Sequence, residues 1–232
     1  IAVAGDVGQG AGELEGLEEK ALATGASKLI VADLTDAMVE EVVLPCLKMD
    51  AEYETYLLGT AFARPVIAKF LAETAIAEGA DAIVHGCTGK GNDQVRFELA
   101  IQRFAPGMKV IAPWREWSLK SRDEEIDYAE AHGVPLKFTR ETSYSKDKNL
   151  WHLSHEGLDL EDPSNEPDLD KPDFLEMSVS PMAAPDQPTY VSIGFEAGVP
   201  VSLDGERMKA GAIIAKLNEL GGANGVGIID IV

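Results

Sequence analysis

Short β-branched runs alternate with amphipathic helical patterns over the first 140 residues, and this alternation constrains the fold more than any other feature. Lys28–Ala32, Asp81–His85 and Met108–Ala112 are each short enough for a buried strand, and helical spacing of apolar residues fills the stretches between them. Such alternation is typical of βαβ units, in which successive strands run parallel and helices cover the sheet. The sequence therefore predicts an α/β domain with a parallel sheet over residues 1–140.

Helix boundaries in this part are marked by capping and breaking residues. We predict helices over Ala11–Ala23, Asp36–Met49, Ala63–Glu78 and Asn92–Phe104. Pro65 would lie in the first turn of the third helix, where a missing N–H costs least. Ser121 and Glu124 form a capping-box pattern that opens a further helix, and Leu136–Thr139 would be the last strand of the domain.

The character of the chain changes near residue 158. Between Asp159 and Glu176 there are eight acidic residues and one basic residue, and six of the 12 prolines lie between Pro163 and Pro188. Prolines and like charges oppose packing, so we predict an irregular surface segment there. Two strands and a helix follow, over Thr189–Phe195, Val199–Leu203 and Lys209–Leu220. We therefore predict an antiparallel α+β domain over residues 141–232.

Charge and hydropathy exclude several classes of partner. The formal net charge is −20, which opposes binding to nucleic acid or to an anionic membrane because both require a cationic face. The sequence contains no window of 18 apolar residues, so it predicts no membrane-spanning helix. Cys46 and Cys87 are too few for a disulfide framework, and we expect a reducing, cytoplasmic location.

The two ends of the chain are unusual. It opens with Ile1-Ala2-Val3-Ala4, without methionine and already strand-like, and it closes with the strand-like run Ile228-Ile229-Asp230-Ile231-Val232. Termini are usually frayed and polar. We expect the chain to be a piece cut from a longer protein.

The strongest local feature is a glycine-rich segment between a predicted strand and a predicted helix, His85-Gly86-Cys87-Thr88-Gly89-Lys90-Gly91-Asn92-Asp93. Ligands of parallel α/β sheets bind at the carboxyl ends of strands, and glycines allow the backbone to approach them closely. Asn92 is a good N-cap residue, and Asp93 and Arg96 would share one face of the first helical turn. That face suits a small zwitterion, with Arg96 for a carboxylate and Asp93 for an ammonium group. A tight turn before a capped helix is the simpler alternative.

Other candidate residues carry weaker signals. The segment Gly5–Gly10 follows the first strand and could approach a nucleotide or form an ordinary turn. Cys87 has no neighbouring base, which favours a passive residue over a nucleophile, and His85 is interpreted as a structural histidine. His152 and His155 could ligate zinc, but no matching ligands accompany them, so we predict no metal site.

Several segments taken together resemble argininosuccinate synthases, and the resemblance runs through the whole chain in order. The matching segments include Tyr56-Leu57-Leu58-Gly59-Thr60, Ala63-Arg64-Pro65, His85 to Glu98, Val110-Ile111-Ala112-Pro113-Trp114-Arg115, Ser145 with Asn149-Leu150-Trp151, Ser154 with Glu156, and Gly225-Val226-Gly227. The block from Gly86 to Glu98 is the most specific of them.

The resemblance implies both a fold and a reaction. The fold is a parallel-sheet ATP-pyrophosphatase-type domain, similar to adenine nucleotide alpha hydrolases, followed by part of an α+β synthetase and multimerisation domain. The reaction is the ligation of citrulline and aspartate through a citrullyl-adenylate, with release of pyrophosphate and AMP, in arginine biosynthesis and the urea cycle. Mg²⁺ would accompany ATP, no prosthetic group is implied, and the enzyme would be a homotetramer.

The resemblance also implies roles for individual residues. Aspartate would be bound by Thr88, Asn92 and Asp93; citrulline by Tyr56, Asn92, Arg96, Ser145 and Ser154; and ATP by the backbone at Gly5 and Gly86. Asp93 and Arg96, which would touch the reacting substrates, are the catalytic candidates.

Departures from the family pattern limit these implications. The family's phosphate loop, Ser-Gly-Gly-Leu-Asp-Thr-Ser, does not occur in this sequence, so we expect the 232 residues alone to be inactive. Ala61 stands where a serine is usual, and Ile228 replaces a usual arginine. Two alternatives stay open, namely another ATP-pyrophosphatase-type ligase and a non-catalytic module that binds amino acids or assists assembly.

Overall fold

The computed structural model describes residues 1–89, 91–119, 121–136, 144–171 and 174–231. The chain forms two compact units: unit 1 comprises Ile1–Leu34 and Thr60–Ser143, and unit 2 comprises Thr35–Gly59 and Tyr144–Val232. Thr35–Gly59, which the sequence pattern placed in the first domain, thus belongs to the second unit. The expected boundary between residues 140 and 141 lies outside the described residues and stays a prediction.

Helices and strands are interspersed along the described part of the chain. They are β1 (Ala2–Asp6), α1 (Ala11–Leu14), α2 (Leu17–Ala23), β2 (Leu29–Asp33), α3 (Thr35–Met38), a π-helical turn (Val39–Val43), α4 (Leu44–Lys48), α5 (Gly59–Ala77), β3 (Ala82–Val84), α6 (Asp93–Phe104), β4 (Lys109–Ile111), a 3₁₀ turn (Pro113–Arg115), α7 (Arg122–Ala131), β5 (Ser145–Lys148), β6 (Leu153–Glu156), a 3₁₀ turn (Leu158–Glu161), β7 (Ile193–Glu196), β8 (Val199–Leu203), β9 (Glu206–Arg207) and α8 (Ala210–Ala223).

Unit 1 contains two pairs of parallel strands. β1 pairs with β2, with Ala2 opposite Leu29, and β3 pairs with β4, with Ala82 opposite Lys109. The N–H of His85 donates to the carbonyl of Ile111 at 3.2 Å and so extends the second pair by one residue. The parallel pairing predicted from the alternating pattern is confirmed, and the glycine-rich segment follows the carboxyl end of β3.

One buried cluster of unit 1 joins α5, α6 and β3. Its members are small or branched apolar residues, namely Ala68, Ala72, Ala75, Ile83, Ala100, Ile101 and Ala105. The alanines of α5 are small and buried, and they share this cluster with Ala100 and Ile101 of α6. This packing fixes α6, and therefore its first turn, relative to β3.

Two predicted helices are interrupted in the structure. The pattern over Ala11–Ala23 forms α1 and α2, which are separated where Gly16 adopts a left-handed conformation with φ of 73°. The pattern over Asp36–Met49 stays helical throughout but contains the π-helical turn directly before α4. Pro45 lies in the first turn of α4. In a continuous α-helix its ring would clash with the backbone carbonyl four residues earlier, which lies in the π-helical turn. The wider turn accommodates that ring.

The third predicted helix begins earlier than its sequence pattern indicates. α5 starts at Gly59, so Pro65 lies in its second turn, and the prediction of a first-turn proline is wrong. Leu58, with φ of 61°, turns the chain directly before the helix. A Cβ atom on Gly59 would lie 2.4 Å from the His152 ring, so the start depends on a contact that the local sequence does not reveal.

The next two helices, α6 and α7, differ in how their N-termini are capped. Ser121 Oγ accepts the Glu124 N–H at 3.3 Å, which confirms the predicted N-cap of α7. Asn92 precedes α6 as predicted, but its backbone is already helical and its side chain makes no capping hydrogen bond. Its predicted side-chain cap is therefore wrong. The strand expected over Leu136–Thr139 lies, except for its first residue, outside the described residues.

Unit 2 is built on antiparallel strands, as predicted for the C-terminal part. β5 pairs with β6, and β7, β8 and β9 form a three-stranded sheet that contacts α8. Ala197-Gly198 and Asp204-Gly205 connect the strands of this sheet with positive φ at both residues of each turn. Such turns follow the right-handed twist of a hairpin, which explains the glycines. β7 begins at Ile193, later than the predicted strand.

The acidic segment of unit 2 is irregular over its described part, as predicted. Beyond the 3₁₀ turn at Leu158–Glu161 it consists of turns and bends up to Glu176. Lys146 and Lys148 donate to the Glu176 carboxylate at 2.6 and 2.9 Å. Burial raises the pKa of Glu176, but the two lysines outweigh burial and hold that pKa below its usual value. These ion pairs anchor the end of the segment to β5.

Within the described ranges, the helices include none with the length and apolar character needed to cross a membrane.

Candidate functional site

The glycine-rich segment is accessible at the end of β3. Gly86 and Thr88 are exposed, and a Cβ atom built on Gly86 would meet nothing within 4 Å. His85 is buried directly before them and its ring stacks on Phe97, with centroids 6.1 Å apart. The backbone at Gly86 can therefore receive a ligand, while His85 has the structural role predicted for it.

Asp93 lies between two arginines at the start of α6. Arg64 Nε donates to Asp93 Oδ2 at 2.8 Å, and Arg96 Nη1 donates to Asp93 Oδ1 at 2.9 Å. The spacing of Asp93 and Arg96 predicted a shared face, and the structure places them in direct contact on it. Two guanidinium groups and one carboxylate leave the cluster with a formal charge of +1.

Arg64 contacts the candidate site although the local sequence pattern gave it no role. It belongs to a segment that carries the family resemblance, but 29 residues separate it from Asp93. Helical spacing relates only residues three or four apart. The packing of α5 against α6 brings the two side chains together, so no local pattern could have paired them.

Cys87 has the environment of an unreactive thiol. Burial, followed by the negative charge of Asp93, raises the pKa of Cys87 above its ordinary value of 9.0. The thiolate is the nucleophilic form, and a raised pKa disfavours it at neutral pH. The structure supports the prediction of a passive residue.

Gly5 is required for packing in this structure. A Cβ atom at this position would lie 2.7 Å from Leu34 Cδ1 and 3.2 Å from Ile67 Cγ1. Its carbonyl accepts a hydrogen bond of 3.1 Å from Gln9 Nε2, and Gln9 Oε1 accepts one from the N–H of Val7 at 2.8 Å. The side chain of Gln9 thus holds the loop after β1 through hydrogen bonds within that loop. The contact of Gly5 with ATP stays a prediction.

Ser145 and Ser154 lie on one face of the β5–β6 hairpin. Ser145 pairs with Glu156 and Ser154 pairs with Asp147, so alternation along the strands directs all four side chains to the same face. This face offers two hydroxyls and two carboxylates, which suit the polar groups of an amino acid. The structure thus brings together two of the residues predicted for citrulline.

Tyr56 and His152 contact each other in unit 2. Their rings meet edge to face with centroids 5.5 Å apart, and Trp151 Nε1 donates to the carbonyl of Leu57 at 2.9 Å. Both contacts hold the loop that carries Tyr56. The predicted site residues divide between the units: Gly5, Gly86, Thr88, Asn92, Asp93 and Arg96 are in unit 1, and Tyr56, Ser145 and Ser154 are in unit 2.

Of the two histidines considered as zinc ligands, His152 is buried and His155 is half-buried. Both ring nitrogens of His152 and Nε2 of His155 have no hydrogen-bond partner among the described residues. Burial lowers the pKa of His152, and also that of His155, so both rings favour the neutral form. Across the part of the chain that the structure describes, no three His, Cys, Asp or Glu side chains are grouped to hold a metal ion.

Two family models match the chain in sequence order. Residues 1–135 match the arginosuccinate synthase N-terminal HUP domain, and residues 144–232 match the arginosuccinate synthase C-terminal domain. The first match agrees with the parallel strand pairs of unit 1, and it defines the N-terminal part as a HUP-type α/β domain.

Curated relatives carry the same family name. The chain is 60% identical over its whole length to an argininosuccinate synthase of Clostridium botulinum strain Eklund 17B, of which the alignment covers 56%. It is 58% identical to that of Clostridium perfringens strain 13, covering all of this chain and 57% of the relative. The chloroplastic enzyme of Arabidopsis thaliana is 56% identical over 98% of this chain and 46% of its own length. The chain belongs to the argininosuccinate synthase family, and it spans about half the length of the curated relatives it matches.

Proposed function

We propose that the intact protein containing this sequence ligates citrulline and aspartate to form argininosuccinate at the expense of ATP. The observation that carries the proposal is the Arg64–Asp93–Arg96 cluster beside the open glycine-rich segment. Guanidinium groups bind carboxylates bidentately, and a carboxylate binds an ammonium group. Both substrates are amino acids, and family membership supports this pair of substrates.

The proposed reaction proceeds in two steps. The ureido oxygen of citrulline attacks the α-phosphorus of ATP, and the bond from that phosphorus to pyrophosphate breaks. The amine of aspartate then attacks the ureido carbon, the bond to AMP breaks, and the amine loses a proton as the new C–N bond forms. Mg²⁺ would enter with ATP as the counter-ion of its phosphates.

Individual residues receive roles in this proposal. Thr88, Asn92 and Asp93 bind aspartate, and backbone groups at Gly5 and Gly86 contact ATP. Citrulline is assigned to Tyr56, Asn92, Arg96, Ser145 and Ser154. Asp93 and Arg96 are the proposed catalytic residues, because charged groups held in place before the reaction stabilise the charge that develops during it. A homotetramer and a cytoplasmic location are part of the same proposal.

Arg96→Ala in the intact protein tests the central assignment. Loss of a charge-assisted hydrogen bond costs about 1.5–3 kcal/mol, so the KM for citrulline should rise on the order of 10- to 100-fold. Thr88→Ala should instead raise the KM for aspartate. Both constants are measured by release of pyrophosphate with each substrate varied in turn.

Arg103→Ala is the matched control for the first variant. Arg103 lies in the last turn of the same helix and is exposed, so its removal changes the charge of α6 equally without touching the cluster. An unchanged KM for citrulline and an unchanged kcat in Arg96→Ala would refute the role of Arg96. Adenylation of other carbonyl substrates, but not of citrulline, would instead identify another ligase of the same type.

A further inference from the structure

The backbone of Cys87 and Thr88 is held by side chains from both sides. The N–H of Cys87 donates to His85 Nδ1 at 3.3 Å. Gln94 Nε2 donates to the carbonyl of Thr88 at 2.8 Å and approaches the carbonyl of Cys87 at 3.5 Å. A loop with several glycines has many accessible conformations, so these contacts restrict it considerably.

Arg115 determines which way the Gln94 amide points. Its Nε and Nη2 donate to Gln94 Oε1 at 2.9 and 2.7 Å. An arginine side chain has no acceptor and a carbonyl has no donor, so only one amide orientation satisfies both neighbours. Gln94 is 7% exposed, and water can therefore replace few of these bonds. The amide acts as a fixed link between Arg115 and the loop.

Glu98 completes a closed circuit of hydrogen bonds. Arg115 Nη2 also donates to Glu98 Oε1, and His85 Nε2 lies 3.2 Å from the same oxygen. Because His85 Nδ1 accepts from the backbone, the neutral ring carries its hydrogen on Nε2 and donates it to Glu98. The circuit runs from Cys87 through His85, Glu98, Arg115 and Gln94 and returns to the loop.

We infer that Gln94 and Arg115 are positioning residues, which hold the Thr88 backbone and so place its exposed hydroxyl for the amino-acid substrate. The inference rests on the proposed function, in which Thr88 binds aspartate. Ordering a loop before binding removes an entropic cost that the substrate would otherwise bear. Neither residue touches substrate in this scheme, and both act through the loop.

Gln94→Glu distinguishes the hydrogen bonds from Arg115 from the hydrogen bond to the Thr88 carbonyl. The introduced carboxylate still accepts from Arg115 but cannot donate to the Thr88 carbonyl and repels it. Gln94→Met removes both interactions at similar volume and adds no charge. We expect both variants to raise the KM for aspartate roughly five- to tenfold, as loss of a hydrogen bond predicts, with the KM for citrulline changed less than about twofold.

Gln102→Glu and Gln102→Met are the matched controls. Gln102 is exposed on the same helix. Its variants make the same changes of side chain and charge as the Gln94 variants, but at a position away from the loop. They should leave both KM values unchanged. An effect of Gln94→Glu without any effect of Gln94→Met would be an effect of charge and would overturn the inference. If the methionine variant does not fold, the glutamate variant retains the Arg115 pair and is compared with its own control.

Hydrogen exchange provides a measurement that does not depend on activity. Amide exchange in a peptide containing Gly86–Gly89 should be faster in both Gln94 variants than in the Gln102 controls. Unchanged exchange would overturn the positioning role, and faster exchange with an unchanged KM for aspartate would overturn its link to the substrate. An unmodified protein that forms no argininosuccinate would overturn the proposed function, while faster exchange would still support the hold on the loop.

Discussion

At the scale of single residues, Asp93 has two cationic partners, and only one was accessible to sequence reasoning. Arg96 follows three positions later on the same helix, and this spacing predicted a common face. Arg64 comes from α5 and contacts the other carboxylate oxygen. The two arginines differ in origin but hold the carboxylate equally closely, at 2.8 and 2.9 Å. Arg64 therefore joins the candidate site residues.

Arg64→Met should impair the proposed ligation by releasing one side of Asp93. With one charge-assisted hydrogen bond lost, we expect kcat/KM for aspartate to fall by roughly tenfold in the intact protein. Arg64→Lys keeps the charge and one donor, so it should retain more activity than the methionine variant. Steady-state kinetics of the two variants decide the matter, and equal, undiminished values would show that Arg64 does not support Asp93.

At the scale of elements, helix ends were predictable where the stop or start signal is local. Ser121 caps α7 as its capping box indicated, because both partners lie within one turn. α5 begins four residues before its predicted start because Leu58 turns the chain and Gly59 packs against His152. The spacing of apolar residues indicates which face of α5 is buried. The contact of Gly59 with the His152 ring determines where its first turn forms.

Ser121→Ala should destabilise the protein through the N-terminus of α7. Loss of an N-cap side chain costs about 1 kcal/mol, and we expect a decrease of that size in the free energy of unfolding. Urea denaturation measures the change. Ser121→Asp retains a cap acceptor and should lose little, so an equal loss in both variants would mean that capping is not the cause.

At the scale of the whole molecule, we expect the buried His152 and the half-buried His155 to make stability depend on pH. Burial is the main cause of the lowered pKa of His152, against smaller raising effects of its own backbone contact and of Asp147. His155 is shifted in the same direction by burial and by Lys146. Between the lowered folded pKa and the unfolded value near 6.5, the unfolded chain binds more protons than the folded chain. The two histidines therefore contribute a loss of stability as the pH falls below 6.5.

His152→Phe should reduce this dependence because it removes one of the two titrating groups. We expect a smaller difference in the free energy of unfolding between pH 7.5 and pH 5.5 than in the unmodified protein, a window above the range in which carboxylates titrate. The exposed His132, at the end of α7, provides the control His132→Phe. A pH dependence that His152→Phe leaves unaltered would assign the effect to other groups.

Local sequence determined the class of fold and the position of the candidate site. Alternating patterns specified the parallel α/β unit, the capping box specified the start of α7, and the glycine-rich segment with Asp93 and Arg96 is recognisable in the sequence itself. These features depend on residues within one or two turns of each other, and local steric and hydrogen-bonding preferences suffice to predict them.

Tertiary structure alone decided the partners of those residues. It brought Arg64 to Asp93 across 29 residues and Arg115 to Gln94 across 21, and it placed Thr35–Gly59 in unit 2 with the C-terminal half. Such pairs form because buried surfaces pack in one arrangement, which no periodicity along the chain encodes. The sequence therefore located the candidate site residues, and the packing of α5, α6 and β4 decided which side chains hold them in place.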